Sequence, residues 1–164
     1  MRYPANRKNR GATLPEVLVG MVLIVTVFAS IFELNAVCLR YIDATKESVA
    51  ALQSVQDRAE MLRNLAFKDL VDTAVIRNLM VNPPNAASFG QKATETVRLS
   101  AFPTANGVTQ ITRSPNGMVT TNSVATDLGQ ELVKVEVNVA WTMTLGGRPR
   151  TEQTTNILSN GSKK

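Results

Sequence analysis

The sequence predicts an α+β protein. A long N-terminal helix, membrane-spanning in its first half, should pack through its second half on a C-terminal antiparallel β-sheet. Sixteen consecutive uncharged residues, 17–32 (VLVGMVLIVTVFASIF), follow a basic leader. Residues 44–70 repeat apolar side chains at three- and four-residue steps, and residues 132–145 alternate with period two. These three patterns are typical of a membrane segment, an amphipathic helix and a half-buried strand.

The apolar segment has the length and flanking charges of a membrane helix. As a helix, residues 17–32 would span roughly 24 Å, and extension back to Ala12 gives roughly 31 Å, close to the hydrocarbon thickness of about 30 Å. Four basic residues and no acid precede it, whereas the charges that follow nearly cancel. The positive-inside rule then places the N-terminus in the cytoplasm and the C-terminal body outside.

Cleavage after the apolar run is the first alternative, since a basic start and an apolar stretch also occur in secretory signals. The best signal-type site follows Leu34-Asn35-Ala36, where the first residue is larger than such sites favour. A lipoprotein would use Cys38, but Val37 stands where a small residue is needed. The residues therefore favour a retained segment.

Glu16 is the one acid at the entrance to this segment. A carboxylate costs roughly 2.5–3.5 kcal/mol at the centre of a membrane helix and less near its end. The spacing of Thr13 and Glu16 also matches a capping box, and Pro15 suits a first helical turn. Capping contributes about 1 kcal/mol, which by itself does not explain an acid beside an apolar segment. A charged partner for Glu16 is therefore expected as well.

The run from Arg10 to Leu18 (RGATLPEVL) resembles the leader junction of the type IV pilin family. The resemblance implies cleavage after Gly11 by a prepilin peptidase and N-methylation of Ala12. It also implies that Glu16 neutralises the N-terminal ammonium of a neighbouring subunit, while the segment from Val17 to Leu39 forms the membrane and fibre-core helix. Ala12 and Pro15 depart from the commoner residues of the family at those positions.

The helix is expected to continue past the membrane to about residue 70, although a break near residues 35–43 stays open. Charged side chains at Lys46, Asp57, Arg58 and Lys68 should lie off its apolar stripe. A short second helix is expected over 70–81, and Pro83 and Pro84 should end it. The expected stripe comprises Val49, Leu52, Val55, Ala59, Leu62, Ala66 and Leu70.

Five strands are predicted, over residues 95–102, 108–113, 118–123, 132–145 and 148–159. The apolar face of the fourth runs from Val133 to Met143. For the last hairpin, a two-residue loop would place Glu152 opposite Trp141. A three-residue loop would place Thr151 opposite Trp141 and Ile157 opposite Val135, which leaves fewer charges on the apolar face and is preferred.

Composition argues against several functions. The chain has 18 basic and 13 acidic residues, but removal of the leader leaves 14 and 13, so no nucleic-acid surface is predicted. With no histidine and a single cysteine, the common nucleophile–base pairs are missing, and we expect no enzyme. No clustered acids point to a metal, and no cofactor is expected.

The residues and the resemblance together predict a minor pilin or pseudopilin of a bacterial type IV pilus or type II secretion system. One cysteine cannot close the disulfide of many major pilins. The expected organisation is a cleaved leader (1–11), a transmembrane and fibre-core helix (12–42) and an extracytoplasmic domain (43–164). Expected partners are other pilin subunits, prepilin peptidase, the inner membrane and its assembly platform.

Such a subunit would sit in the inner membrane with its N-terminus in the cytoplasm and would then enter a periplasmic or extracellular filament. Two alternatives stay open. One is an uncleaved, signal-anchored single-pass protein whose outer domain binds a partner. The other is an adhesive or DNA-uptake tip subunit, which the near-neutral mature charge does not favour.

Overall fold

The computed structural model describes residues 13–84 and 87–161. Their fold is α+β, as the sequence predicts, with a long N-terminal helix and a five-stranded antiparallel sheet. The described helices are α1 (Leu14–Asn64), α2 (Phe67–Leu70), α3 (Thr73–Val81) and α4 (Ala87–Gly90). The strands are β1 (Thr94–Ala101), β2 (Thr109–Arg113), β3 (Val119–Ser123), β4 (Leu132–Thr142) and β5 (Pro149–Ser159).

Helix α1 continues for 51 residues without a break near residues 35–43. No glycine or proline occurs between Gly20 and its end, and Pro15 lies in the first turn, where a missing N–H disrupts no helical hydrogen bond. The helix ends at Asn64, six residues before the predicted end. Ala66 is extended (φ −64°, ψ 147°), and the chain restarts as α2, which buries Leu70.

The chain divides into two compact units, Met1–Arg40 and Tyr41–Lys164. Every described residue of the first unit belongs to α1 or immediately precedes it, and all are exposed except the half-buried Gly20. The second unit contains the core. In it, α1 from Ala44 onward and α3 pack on one face of the sheet, and α3 begins where the Asp72 carboxylate accepts a 2.8 Å hydrogen bond from the Ala74 N–H.

The sheet has the order β3-β2-β1-β4-β5, with every neighbouring pair antiparallel. All five predicted strands are present, within three residues of the expected bounds. The predicted apolar face of β4 is correct, because alternate side chains from Val133 to Trp141 are buried. Facing residues from the helices complete the core, with Ala51, Val55, Leu62, Ile76 and Met80.

The predicted stripe on α1 is wrong in part. Val49 and Leu52 are 49% and 47% exposed, whereas Arg58, expected off the stripe, is completely buried. The face toward the sheet instead carries small residues such as Ala51 and Ser54. Small side chains let the helix approach the sheet closely beside the buried Val55 and Leu62, whereas Val49 and Leu52 lie at the flank of this face.

The β4–β5 register differs from both predicted alternatives. Trp141 lies opposite Arg150 and Val135 opposite Asn156, so the connection has four residues, Thr144 to Gly147. Gly146 and Gly147 both adopt positive φ (77° and 61°), which glycine allows without steric cost. Strand β5 is at the sheet edge, and its side chains are half-buried at most. Apolar pairing therefore specifies the register only weakly, and the geometry of the turn decides it.

A charged network lies inside the core, between α1, β1 and β2. Arg58 donates to both Glu95 oxygens at 2.5 and 3.2 Å, and also to the carbonyls of Leu79 (2.7 Å) and Asn82 (2.8 Å). Arg113 donates to Glu95 at 3.3 Å. Glu95 and Arg58 are 1% and 0% exposed, and burial at this level requires full hydrogen bonding.

Replacing Arg58 should therefore destabilise the second unit strongly. We expect Arg58→Met to lower the free energy of unfolding by about 3–5 kcal/mol, because Glu95 loses its bidentate partner while still buried. The measurement is urea unfolding of the full chain in detergent, followed by fluorescence of Trp141, the only tryptophan and 5% exposed.

Arg63→Met is the matched control on the same helix. Arg63 is exposed and pairs with exposed Glu60 at 2.8 Å, a type of contact worth about 0–1 kcal/mol. Equal unfolding midpoints for the two variants would contradict a structural role for the network.

Candidate functional site

The first half of α1 presents an apolar surface on every side. Each large apolar side chain from Leu14 to Ile42 is at least 38% exposed, with Phe32 at 69%. The helix contains an 18-residue window that is apolar enough to cross a membrane, and none of that window is buried within the protein. By length and composition α1 is a possible membrane span, and α1 includes the predicted segment from Val17 to Leu39.

The hydroxyl groups inside this segment are satisfied within the helix. The Thr26 hydroxyl donates to the Val22 carbonyl at 2.8 Å, and the Ser30 hydroxyl donates to the Thr26 carbonyl at 2.9 Å. A polar group that enters hydrocarbon without a hydrogen bond is costly. These local bonds let the segment enter an apolar environment without an external polar partner for either side chain.

Glu16 lies in the first turn of α1 and is exposed. Its Oε2 accepts a long hydrogen bond of 3.4 Å from the Thr13 N–H, which is the carboxylate half of the predicted capping box. A carboxylate near a helix N-terminus also interacts favourably with the helix dipole. Gly11 and Ala12, the predicted cleavage and methylation positions, lie outside the described residues.

A second polar contact, which the sequence analysis did not anticipate, involves Glu47, eight positions after Leu39. Its carboxylate accepts hydrogen bonds from the Thr144 hydroxyl and, at 3.0 Å, from the Thr144 N–H, and the Lys92 Nζ lies at 3.6 Å. Glu47 thereby joins α1 to the β4–β5 turn. Thr144 is 97 positions away along the chain, so no local sequence signal marks the pair.

The environment of Glu47 changes its acidity. Burial of the side chain, 11% exposed, by itself raises the pKa, but the two Thr144 hydrogen bonds and Lys92 together outweigh it and hold the pKa below the ordinary glutamate value of 4.5. The folded unit therefore stabilises the ionised form.

The described ranges contain no group of three or more His, Cys, Asp or Glu side chains placed to hold a metal ion. Cys38 is exposed on α1 and forms no disulfide.

The chain matches no protein-family model, no curated protein and no solved structure. Its architecture is nevertheless pilin-like: a long N-terminal helix that is apolar in its first half and that packs on an antiparallel sheet from Ala44 onward.

Glu47 should make stability depend on pH. Its lowered pKa means that its contribution is complete above the ordinary value of 4.5 and is lost as the pH falls through the folded-state value. At pH 7 we expect Glu47→Gln to lower the free energy of unfolding by about 1.5–3 kcal/mol, the size of a hydrogen bond to a charged group. The difference from the parent chain should shrink below pH 4.5.

The measurement is denaturant unfolding of the full chain in detergent at pH 7 and at several values below 4.5. Thr144→Val should reproduce part of the loss, and Thr144→Ser, which retains the hydroxyl donor, should not. A Glu47→Gln penalty that is equal at neutral and acid pH would disprove the electrostatic explanation.

Proposed function

We propose that this chain is a minor pilin or pseudopilin, a subunit that is held in the inner membrane by α1 and then assembled into a type IV pilus or type II secretion filament. The observation that carries the proposal is the combination of a Gly-ended basic leader, a Glu at the fifth position after it and a helix apolar on all sides. The pilin-like arrangement of helix and sheet supports it.

The exposed surface of α1 fits a subunit that exchanges lipid for protein neighbours. A helix that is apolar all round must be buried in a membrane or a protein core. Because Thr26 and Ser30 are already hydrogen-bonded, transfer from lipid to the packed helices of a filament would break no polar contact. Apolar packing would then supply the cohesion of the filament.

Glu16 fits a role in subunit register. After cleavage at Gly11, the new ammonium of Ala12 on one subunit would pair with Glu16 on its neighbour. Ion pairs in apolar surroundings are net favourable only with good geometry. Such a pair therefore selects one axial position between adjacent helices more than it adds energy.

A signal-anchored membrane protein with a partner-binding outer domain is the second candidate. The structurally autonomous core of the second unit favours it, since that unit has its own buried cluster. It differs from the filament subunit in predicting an uncut N-terminus and permanent residence in the membrane.

Processing separates the two candidates. We expect a mature chain that begins at methylated Ala12 in cells with prepilin peptidase, and an unprocessed chain that begins at Met1 in cells without it. Intact-mass spectrometry of the purified protein from both strains makes the measurement. A Met1 start in both strains, or a start downstream of Phe32 in the peptidase-containing strain, would overturn the pilin proposal.

A pair of glycine variants controls for non-specific effects. Gly11→Val should block processing, because a branched side chain replaces the small residue at the cut. Gly20→Val should be processed normally, because a Cβ at Gly20 meets nothing within 4 Å.

Three variants test Glu16. Glu16→Val should be processed and inserted yet fail to enter filaments, because the charge partner of the ammonium is gone. Glu16→Gln retains an oxygen that can cap Thr13 but has no charge, so it should fail in the same way. Glu33→Val, at the far end of the apolar run, is the matched control. Immunoblots of sheared filament fractions against membrane fractions measure incorporation.

Normal incorporation of Glu16→Gln with loss only in Glu16→Val would assign the residue to helix capping. Normal incorporation of both variants would remove it from assembly altogether.

A further inference from the structure

Arg113 has more hydrogen-bonding capacity than its protein partners use. It is 3% exposed at the end of β2, where its Nε donates to Glu95 at 3.3 Å and its Nη1 donates to the Gly90 carbonyl at 3.0 Å. Its Nη2 donates to none of the residues that the structure describes. A guanidinium has five N–H donors, and Nη2 reaches the surface, since among the described residues Trp141 Nε1 is the fully buried side-chain nitrogen without a partner.

The charge of the network is also unbalanced. Arg58 and Arg113 share Glu95, which leaves a net charge of +1 for the three residues inside the core. Arg58 already binds Glu95 and two backbone carbonyls. Of the two cations, Arg113 makes fewer hydrogen bonds to the described residues.

Arg113 lines a surface cavity of about 670 Å³ between the end of α3 and the β2–β3 turn. Among the described lining residues it is the only charged one, with Val81, Pro83, Gln91 and Asn116 among the others. Asn116 Oδ1 already accepts from the Met118 N–H at 3.1 Å. Its amide NH₂ can then donate to a ligand, as can the Arg113 guanidinium.

We propose that this cavity binds a carboxylate group. A monoanion balances the +1 charge of the network, and a planar carboxylate matches the guanidinium geometry. A phosphate dianion would leave the network with a net negative charge, because the described lining of the cavity contains no second cation. The apolar carbons of Val81 and Pro83 would contact the remainder of the ligand. The site lies in the second unit and does not depend on filament assembly.

The test is a titration of the ¹⁵N-labelled full chain in detergent with acetate, with an acetylated and amidated Gly-Glu-Gly peptide, and with phosphate or chloride at matched ionic strength. Binding is read from the backbone amides of Gln91 and Gly117. Saturable shifts with the carboxylates, and not with phosphate or chloride, are expected. If the peptide binds more tightly than acetate, the natural carboxylate belongs to a protein chain. If the peptide and acetate bind with equal affinity, it belongs to a small free acid.

Gln91→Glu places a competing carboxylate at the rim without altering the core, since Gln91 is exposed. It should weaken carboxylate binding by roughly tenfold or more, because like charges repel. Gln153→Glu, an equally exposed change on β5, is the matched control and should bind normally. Absence of saturable shifts, equal response to phosphate or chloride, or unchanged binding by Gln91→Glu would each overturn the proposal.

Discussion

The first half of α1 leaves a large apolar surface that the described chain does not cover. Water disfavours such a surface in proportion to its area, so residues 14–42 favour an apolar environment. The second unit must consequently fold without help from this half of the helix. Its buried cluster, from Ala51 on α1 to Val139 on β4, meets that requirement within residues 44–158.

The charged network restricts how α1 can sit on the sheet. An apolar contact surface of small residues tolerates rotation of a helix about its axis, because many packings bury similar area. Arg58 removes that freedom. Its acceptors belong to β1 and to the end of α3, so a rotation of α1 about its axis would break these hydrogen bonds. Buried ion networks add little net energy relative to an apolar replacement, whereas the loss of one partner leaves an uncompensated buried charge.

Periodicity predicted the strands and the continuous helix, because a half-buried strand and an apolar helix each repeat on a local scale. It failed where the deciding partner is remote. Nothing near Arg58 in the sequence indicates its burial, because its partner Glu95 is 37 positions away. Val49 and Leu52 were predicted to be buried because they are large and apolar, yet both are exposed. Within the candidate site, the hydrogen bond between Thr13 and Glu16 could be predicted from the three-residue spacing of a capping box. The contact of Glu47 with Thr144 depends on a turn geometry that the hairpin sequence did not reveal.

The internal bonds of Thr26 and Ser30 have a consequence for orientation about the helix axis. With both hydroxyls turned back onto their own backbone, the segment offers its surroundings a nearly uniform cylinder of hydrocarbon. A uniform cylinder has no preferred azimuth. Between Thr13 and Phe32 the sequence breaks this symmetry with one acidic residue, Glu16, so in the proposed filament the angular alignment of neighbouring helices would depend on that residue.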